Sequence, residues 1–223
     1  MVEWGWTRAS GPLSAQQRAL WLMRLCRRSL KLLGVSVDLR GPRPSPGYVV
    51  SNHLSYLDIV VLGAMTPCVF VAKREVRSWP VLGWLARMAG TIFVDRACRL
   101  DVARVVRAME ACRAAGLCVV LFPEGTSSDG RTILRLRSSL LEPLTNEPRC
   151  TVAHLRYQAD DCDVARTVCY WGDATLMPHL LRLLGLSHIR ALVHTCEVCI
   201  EHANRKRLAM RLHGFLEALA GRA

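Results

Sequence analysis

Apolar residues recur at two different spacings along this chain. Between positions 15 and 33, Ala19, Met23, Cys26, Leu30 and Leu33 fall at helical intervals, and Arg24, Arg27, Arg28 and Lys31 form a stripe elsewhere on the same helix. Gly34 marks its C-terminal end. From position 35 onward short β-like runs alternate with helical stretches. Segments 35–39, 48–51, 68–72, 92–94, 119–122, 152–157, 168–170 and 189–199 read as strands. Segments 57–64, 81–88, 101–114, 176–184 and 204–219 read as helices. Strands separated by helices predict an α/β fold, a mixed and largely parallel sheet flanked by helices, with the chemistry on loops at strand ends. The Pro-rich stretch 41–46 is a connector, and no repeat is evident. The chain therefore divides into an N-terminal amphipathic segment, 1–34, and a main domain, 35–223.

A chain of 223 residues can bury one core without help from metal or disulfides. Its formal net charge of +12 draws it toward a polyanion, either nucleic acid or an anionic bilayer face. Charge alone does not choose. The basic N-terminal helix, with Trp21 nearby, suits a membrane interface, apolar face down; it also suits a cover over the core with a solvated basic face. The longest weakly interrupted apolar stretch, 59–72, is 14 residues and contains Thr66 and Pro67. That is short of the ~20 needed to cross a bilayer. The opening, with Trp4, Trp6 and Arg8, does not resemble a signal peptide. Neither a signal peptide nor a transmembrane helix is expected. The ten cysteines are scattered through apolar runs, which suggests reduced thiols used as small apolar residues. Cys196 and Cys199 have C-x-x-C spacing between His194 and His202, but strand alternation puts them on opposite faces, so no metal site is expected.

Three polar clusters stand at the exits of apolar strands. The first is Asn52-His53-Leu54-Ser55-Tyr56-Leu57-Asp58. In a continuous helix, positions five apart point ~140° from one another. His53 and Asp58 can meet only if His53 lies in the loop before the helix, with Ser55 as N-cap and Asp58 reaching back from the first turn. Asp58 would then fix the imidazole tautomer and stabilise the imidazolium formed on proton abstraction. The second cluster, Gly90-Thr91-Ile92-Phe93-Val94-Asp95-Arg96, offers a guanidinium for a phosphate or carboxylate. The third, Phe122-Pro123-Glu124-Gly125-Thr126, has a glycine that lets the backbone approach a ligand. Taken singly, Asp58 caps a helix, Arg96 is a surface ion pair and Pro-Glu-Gly is a turn. Three in series are harder to explain as packing.

In order and spacing these clusters resemble the first three sequence blocks of the glycerolipid (lysophospholipid) acyltransferases, including the 1-acylglycerol-3-phosphate acyltransferases, over roughly residues 35–213. The resemblance implies that 35–223 is an acyltransferase domain. His53 would be the base that deprotonates an acceptor hydroxyl, and Asp58 its orienter. Asn52, Arg96, Glu124, Gly125, Thr126 and Arg137 would bind substrate. No cofactor is implied. The acyl donor would be an acyl-ACP or acyl-CoA thioester, the acceptor a lysolipid, foremost 1-acylglycerol-3-phosphate, and the partner surface an anionic membrane. A peripheral or monotopic place on the cytoplasmic face of the inner membrane follows, with no nucleic acid partner.

Two departures bear on the acceptor. Leu136-Arg137-Ser138-Ser139 stands where the family often has Phe-Lys-x-Gly, keeping the cation and losing the glycine. Val152 stands where its fourth block usually has proline. Ser127-Ser128-Asp129-Gly130 and Tyr170-Trp171-Gly172-Asp173 are similar to a bacterial branch that includes acyltransferases of lyso-ornithine lipid, so that acceptor is the alternative. A non-enzymatic basic module binding anionic lipid or nucleic acid would explain the charge but not the three clusters. No G-x-x-x-x-G-K loop is present, so nucleotide hydrolysis is not expected.

Overall fold

The structure is a computed structural model that describes residues 13–95, 99–160, 162–201 and 204–221. Seven strands form one sheet: β1 (Val35–Arg40), β2 (Gly47–Ser51), β3 (Cys68–Lys73), β4 (Ile92–Val94), β5 (Cys118–Leu121), β6 (Arg149–Gln158) and β7 (Ile189–Cys199). Their spatial order is β1-β7-β6-β2-β5-β3-β4, and only the β6–β7 pair is antiparallel. The predicted mixed, largely parallel sheet is therefore observed. One predicted strand, 168–170, is absent: Val168 closes the short helix α5 (Val164–Thr167), which the periodicity did not reveal.

The parallel strands are sandwiched between helices, so their residues are apolar on both faces. Along β2, Tyr48 and Val50 enter one core cluster and Val49 enters the other; Val119 and Val120 of β5 divide in the same way. Helices α4 (Arg99–Ala114) and α7 (Arg205–Ala220) cover the first face through Val105, Met109, Leu208, Leu212 and Leu216. Helices α1 (Ala15–Leu32) and α2 (Leu57–Met65) cover the second through Leu22, Cys26, Leu30, Leu57, Val61 and Leu62. Two further helices, α3 (Leu82–Met88) and α6 (Leu176–Leu184), lie where the sequence placed them.

Helix α1 begins with a capping box, Ser14 and Gln17 exchanging bonds between side chains and backbone. It ends before Gly34, whose φ of +62° fits a left-handed cap residue. Its buried stripe is Ala19, Leu22, Cys26 and Leu30, with Leu22 in the place expected for Met23. That stripe is spent on the domain: Arg27 donates to Ala64 O at 2.9 Å, and Cys26 lies close enough to Gly63 that an added Cβ there would meet its sulfur at 2.8 Å. From residue 13 on, this segment packs against the sheet domain, with Arg24, Arg28 and Lys31 left outward. Among the described residues, no helix is long and apolar enough to cross a membrane. Cys196 leans on the core while Cys199 is exposed, as alternation requires.

Candidate active site

Strand β2 lies between β5 and β6, so whatever follows Ser51 emerges at the middle of the sheet edge. Asn52 continues the ladder with its side chain. Its Nδ2 donates to Leu155 O at 3.0 Å and its Oδ1 accepts from Leu155 N at 2.7 Å, all of it buried. The sequence placed Asn52 among the substrate contacts; the structure ties its amide to the backbone of β6 instead. This pin ends the strand and forces the chain to turn at His53.

Asp58 sits in the first turn of α2 and is fully buried. Its Oδ2 accepts from His53 Nδ1 at 2.7 Å, from Leu54 N at 2.7 Å and from Ser55 N at 3.0 Å, while its Oδ1 accepts from the Tyr157 hydroxyl at 2.6 Å. His53 and Asp58 meet because His53 lies in the loop and Asp58 reaches back, which is the geometry the spacing demanded. The predicted cap is different in detail. Tyr56 holds the N-cap position without a side-chain bond, and Ser55 contributes its backbone N–H while its buried hydroxyl has no partner among the described residues. The carboxylate instead ties down the loop that leads into the helix, accepting from the Leu54 and Ser55 amides that precede the N-cap.

The bond from Nδ1 assigns the imidazole proton to that nitrogen and leaves the Nε2 lone pair for a substrate proton. The His53 side chain is 21% exposed, which suits a group that must reach a ligand. Phe122 stacks on its ring with centroids 4.2 Å apart and planes 20° apart, and Phe70 stacks behind Phe122 at 6.1 Å. The backbone of the loop is tied from two sides: His53 O accepts from Ser128 N at 2.9 Å, and Leu54 O from Tyr170 N at 2.8 Å. Ser127 Oγ donates to Tyr170 O, joining those two outer segments to each other.

Strand β5 delivers the third cluster one strand away, about 5 Å across the sheet. Gly125 turns the chain with φ +76° and donates its N–H to Phe122 O at 3.1 Å. Arg137 N donates to Pro123 O at 2.8 Å, which draws the following loop back over the turn. The result is a cavity of about 500 Å³ lined by Glu124, Thr126, Leu134, Arg135, Leu136, Arg137 and Ser138. Glu124 is 3% exposed, and neither of its carboxyl oxygens has a hydrogen bond of good geometry among the described residues. Burial, with a smaller push from Asp58, raises its pKa from 4.5 to about 8, against the opposing pull of the nearby His53 and Leu134 amides. Arg135 and Arg137 are exposed and unpaired among the described residues. The structure thus gathers Glu124, Thr126 and Arg137 and adds Arg135.

Arg96 lies outside the described residues. Asp95 before it accepts from Arg74 at 2.9 Å and takes part in a second cavity of about 650 Å³ with Arg74, Glu75, Arg77, Ser78 and Arg87. That hollow lies at the exits of β3 and β4, farther along the sheet edge than His53. Among the described residues no group of three or more His, Cys, Asp or Glu side chains could hold a metal.

A buried carboxylate on Nδ1 of a partly open imidazole, beside a cavity lined by a buried carboxyl group and two arginines, can take a proton from a hydroxyl and hold the molecule that carries it. Residues 36–152 match the family model described as Acyltransferase. This chain belongs to the acyltransferase family. A lyso-ornithine lipid O-acyltransferase of Rhizobium meliloti is 34% identical, over 85% of this chain and 71% of its own length. A 1-acyl-sn-glycerol-3-phosphate acyltransferase of Neisseria meningitidis serogroup B is 32% identical, over 68% of this chain and 66% of its own. The crystal structure of the 1-acyl-sn-glycerophosphate (LPA) acyltransferase PlsC from Thermotoga maritima has the same fold, with TM-score 0.67 and 17% identity over 93% of this chain and 80% of that one. The acyltransferase is thus an O-acyltransferase of lysolipids.

Besides Arg135, sequence reasoning in this acyltransferase missed Tyr157 beside Asp58. Its strand was recognised, but a tyrosine at the end of an apolar run reads as packing. The available signal was topological: β6 lies beside β2 with Ser51 opposite Ala153, so residues just beyond 153 must flank the chain just beyond 51.

Proposed function

We propose that His53 Nε2 removes the proton from a lysolipid hydroxyl while the oxygen attacks the carbonyl carbon of an acyl-ACP or acyl-CoA thioester. The new C–O bond forms and the C–S bond breaks. The imidazolium, held by Asp58, returns its proton to the departing thiolate, so no acyl-enzyme is needed. The observation that carries this reading is the 2.7 Å contact between His53 Nδ1 and a fully buried Asp58, which leaves Nε2 free at the surface of the loop. Glu124, Thr126, Arg135 and Arg137 hold the acceptor headgroup, Gly125 shapes the turn beneath it, and Arg96 offers a further anion contact.

Between the two acceptors, the cavity at β5 favours lyso-ornithine lipid over 1-acylglycerol-3-phosphate. An ornithine headgroup carries an ammonium and a carboxylate. The first would draw Glu124 into its charged form and pair with it, and the second meets Arg135 and Arg137. A phosphate satisfies only the arginines. Segments 127–130 and 170–173, which resemble the lyso-ornithine branch, also hold the catalytic loop directly.

The acceptor would reach the site from an anionic membrane, with the protein peripheral or monotopic on its cytoplasmic face. The +12 charge supports this, as do Met177, Leu181 and Leu184, which line one exposed side of α6 while His179 on its buried side bonds the Tyr56 hydroxyl beside the loop. The test uses purified wild type, His53→Ala and Asp58→Asn, with acyl-ACP and acyl-CoA as donors and both lysolipids as acceptors. Transfer to lyso-ornithine lipid that vanishes in His53→Ala is expected; undiminished transfer by that variant would overturn the assignment.

A further inference from the structure

We propose that Tyr157 is a positioning residue that sets the base strength of His53 by holding the second oxygen of Asp58. This rests on the reading of His53 as the base. The two carboxylate oxygens are served unequally. Oδ2 receives three donors from the loop it caps, while Oδ1 receives only the Tyr157 hydroxyl among the described residues, at 2.6 Å. The phenol is enclosed in the core with Val168 and Cys169, out of reach of water.

Two consequences follow from elementary electrostatics. A short bond to a charged acceptor in a dry site is among the stronger hydrogen bonds a protein makes. It draws negative charge toward Oδ1 and away from Oδ2, the oxygen that faces His53. It also fixes the plane of the carboxylate, which could otherwise rotate about Cβ–Cγ and spoil the alignment with Nδ1. Burial first, then the charge of Asp58, pushes the Tyr157 pKa well above its ordinary value of 10, so the phenol remains a donor and does not relay protons. Asn52 sets the register: by pinning the loop to Leu155, two residues before Tyr157, it brings the hydroxyl to Oδ1.

The test is the pH dependence of kcat/KM for acyl transfer in Tyr157→Phe, which keeps the ring and removes the donor. Without the phenol the full carboxylate charge faces His53 and favours its imidazolium. The acid limb should therefore move to higher pH by about half a unit to one unit, with kcat down about tenfold and both KM values within about twofold. 3-Fluorotyrosine at 157 is nearly the same shape and a stronger donor, so it should move the limb the other way while preserving the fold. A double-mutant cycle completes the assignment: Tyr157→Phe added to Asp58→Asn should cost almost nothing more, because the phenol acts through that carboxylate. An unmoved acid limb in both substitutions, or full additivity in the cycle, would overturn the proposal. His53→Ala in the same assay separates the two ideas, since its retained activity removes the base itself, whereas an unshifted Tyr157→Phe beside an inactive His53→Ala removes only the role of Tyr157.

Discussion

Two neighbouring strands end in buried carboxyl groups, and the chain treats them in opposite ways. At the exit of β2, Asp58 is surrounded by donors from His53, Leu54, Ser55 and Tyr157. At the exit of β5, Glu124 is almost as deeply enclosed and has no well-formed bond among the described residues. Burying an acid is costly in either case. A fully satisfied one is finished before substrate arrives and can only orient what it already touches. One without such donors is kept largely protonated by its burial and is left to respond to what binds beside it. On the proposed mechanism, the difference separates the group that works through His53 from the group that would meet the ligand.

The contrast can be broken most severely at Asp58. Asp58→Asn keeps the shape but presents an amide where His53 needs an acceptor, so the imidazole adopts the wrong tautomer or turns away. A loss of about 10³-fold in kcat with the acceptor KM nearly unchanged is expected from steady-state kinetics. Glu124→Gln should do the reverse, raising the KM for a cationic acceptor about tenfold or more and lowering kcat less.

The same Glu124 variant gives a stability signature. The folded-state pKa of about 8 lies above the ordinary 4.5, so the folded chain binds the extra proton and its stability falls as pH rises from about 4.5 to about 8. Glu124→Gln should remove that slope and be the more stable protein at pH 8, as read by thermal unfolding. His154 tilts the other way. Burial, followed by His194 and Arg156, lowers its pKa to about 4, so stability is lost as pH falls from 6.5 toward 4. The difference between variant and wild type is therefore the quantity to follow.

Asn52 supplies a smaller test. If its amide serves the scaffold, Asn52→Ala leaves Leu155 N–H and C=O without their partner and destabilises the fold by about 1–3 kcal/mol in denaturant titration. Its KM for acceptor should stay close to wild type; a KM that rises with stability unchanged would return Asn52 to the substrate contacts. Gly125→Ala is the mildest. Forcing a Cβ into φ +76° should cost about 1 kcal/mol, with a modest loss of activity as the Glu124 turn shifts.

The sheet was legible in the sequence because apolar runs bounded by turn residues have a length and spacing that report strands directly. His53 and Asp58 were legible because only one local geometry lets residues five apart meet. Tyr157 beside Asp58 and the pairing of Asn52 with Leu155 were not, because both depend on which strand lies beside β2, and spacing along a chain does not encode lateral order. The burial of Glu124 escaped for a related reason: it is made by residues 134–138 folding back over Pro123, a long-range closure with no periodic signal. The stripe of α1 was read one residue off, since Leu22 and Met23 both fit an apolar face until α2 is in place.

The order of strands also governs when this enzyme can first work. The imidazole and its carboxylate are made within five residues of one another, yet their clamps arrive about a hundred residues later, Leu155 for Asn52 and Tyr157 for Asp58. Strand β1, made near the start, has no neighbour in the sheet until β7 follows. A nascent chain released short of β6 carries the His53–Asp58 pair without the restraints from Leu155 and Tyr157. The site is thus completed by long-range contacts made late in synthesis, the kind of closure that folds more slowly than the local contacts of a helical bundle.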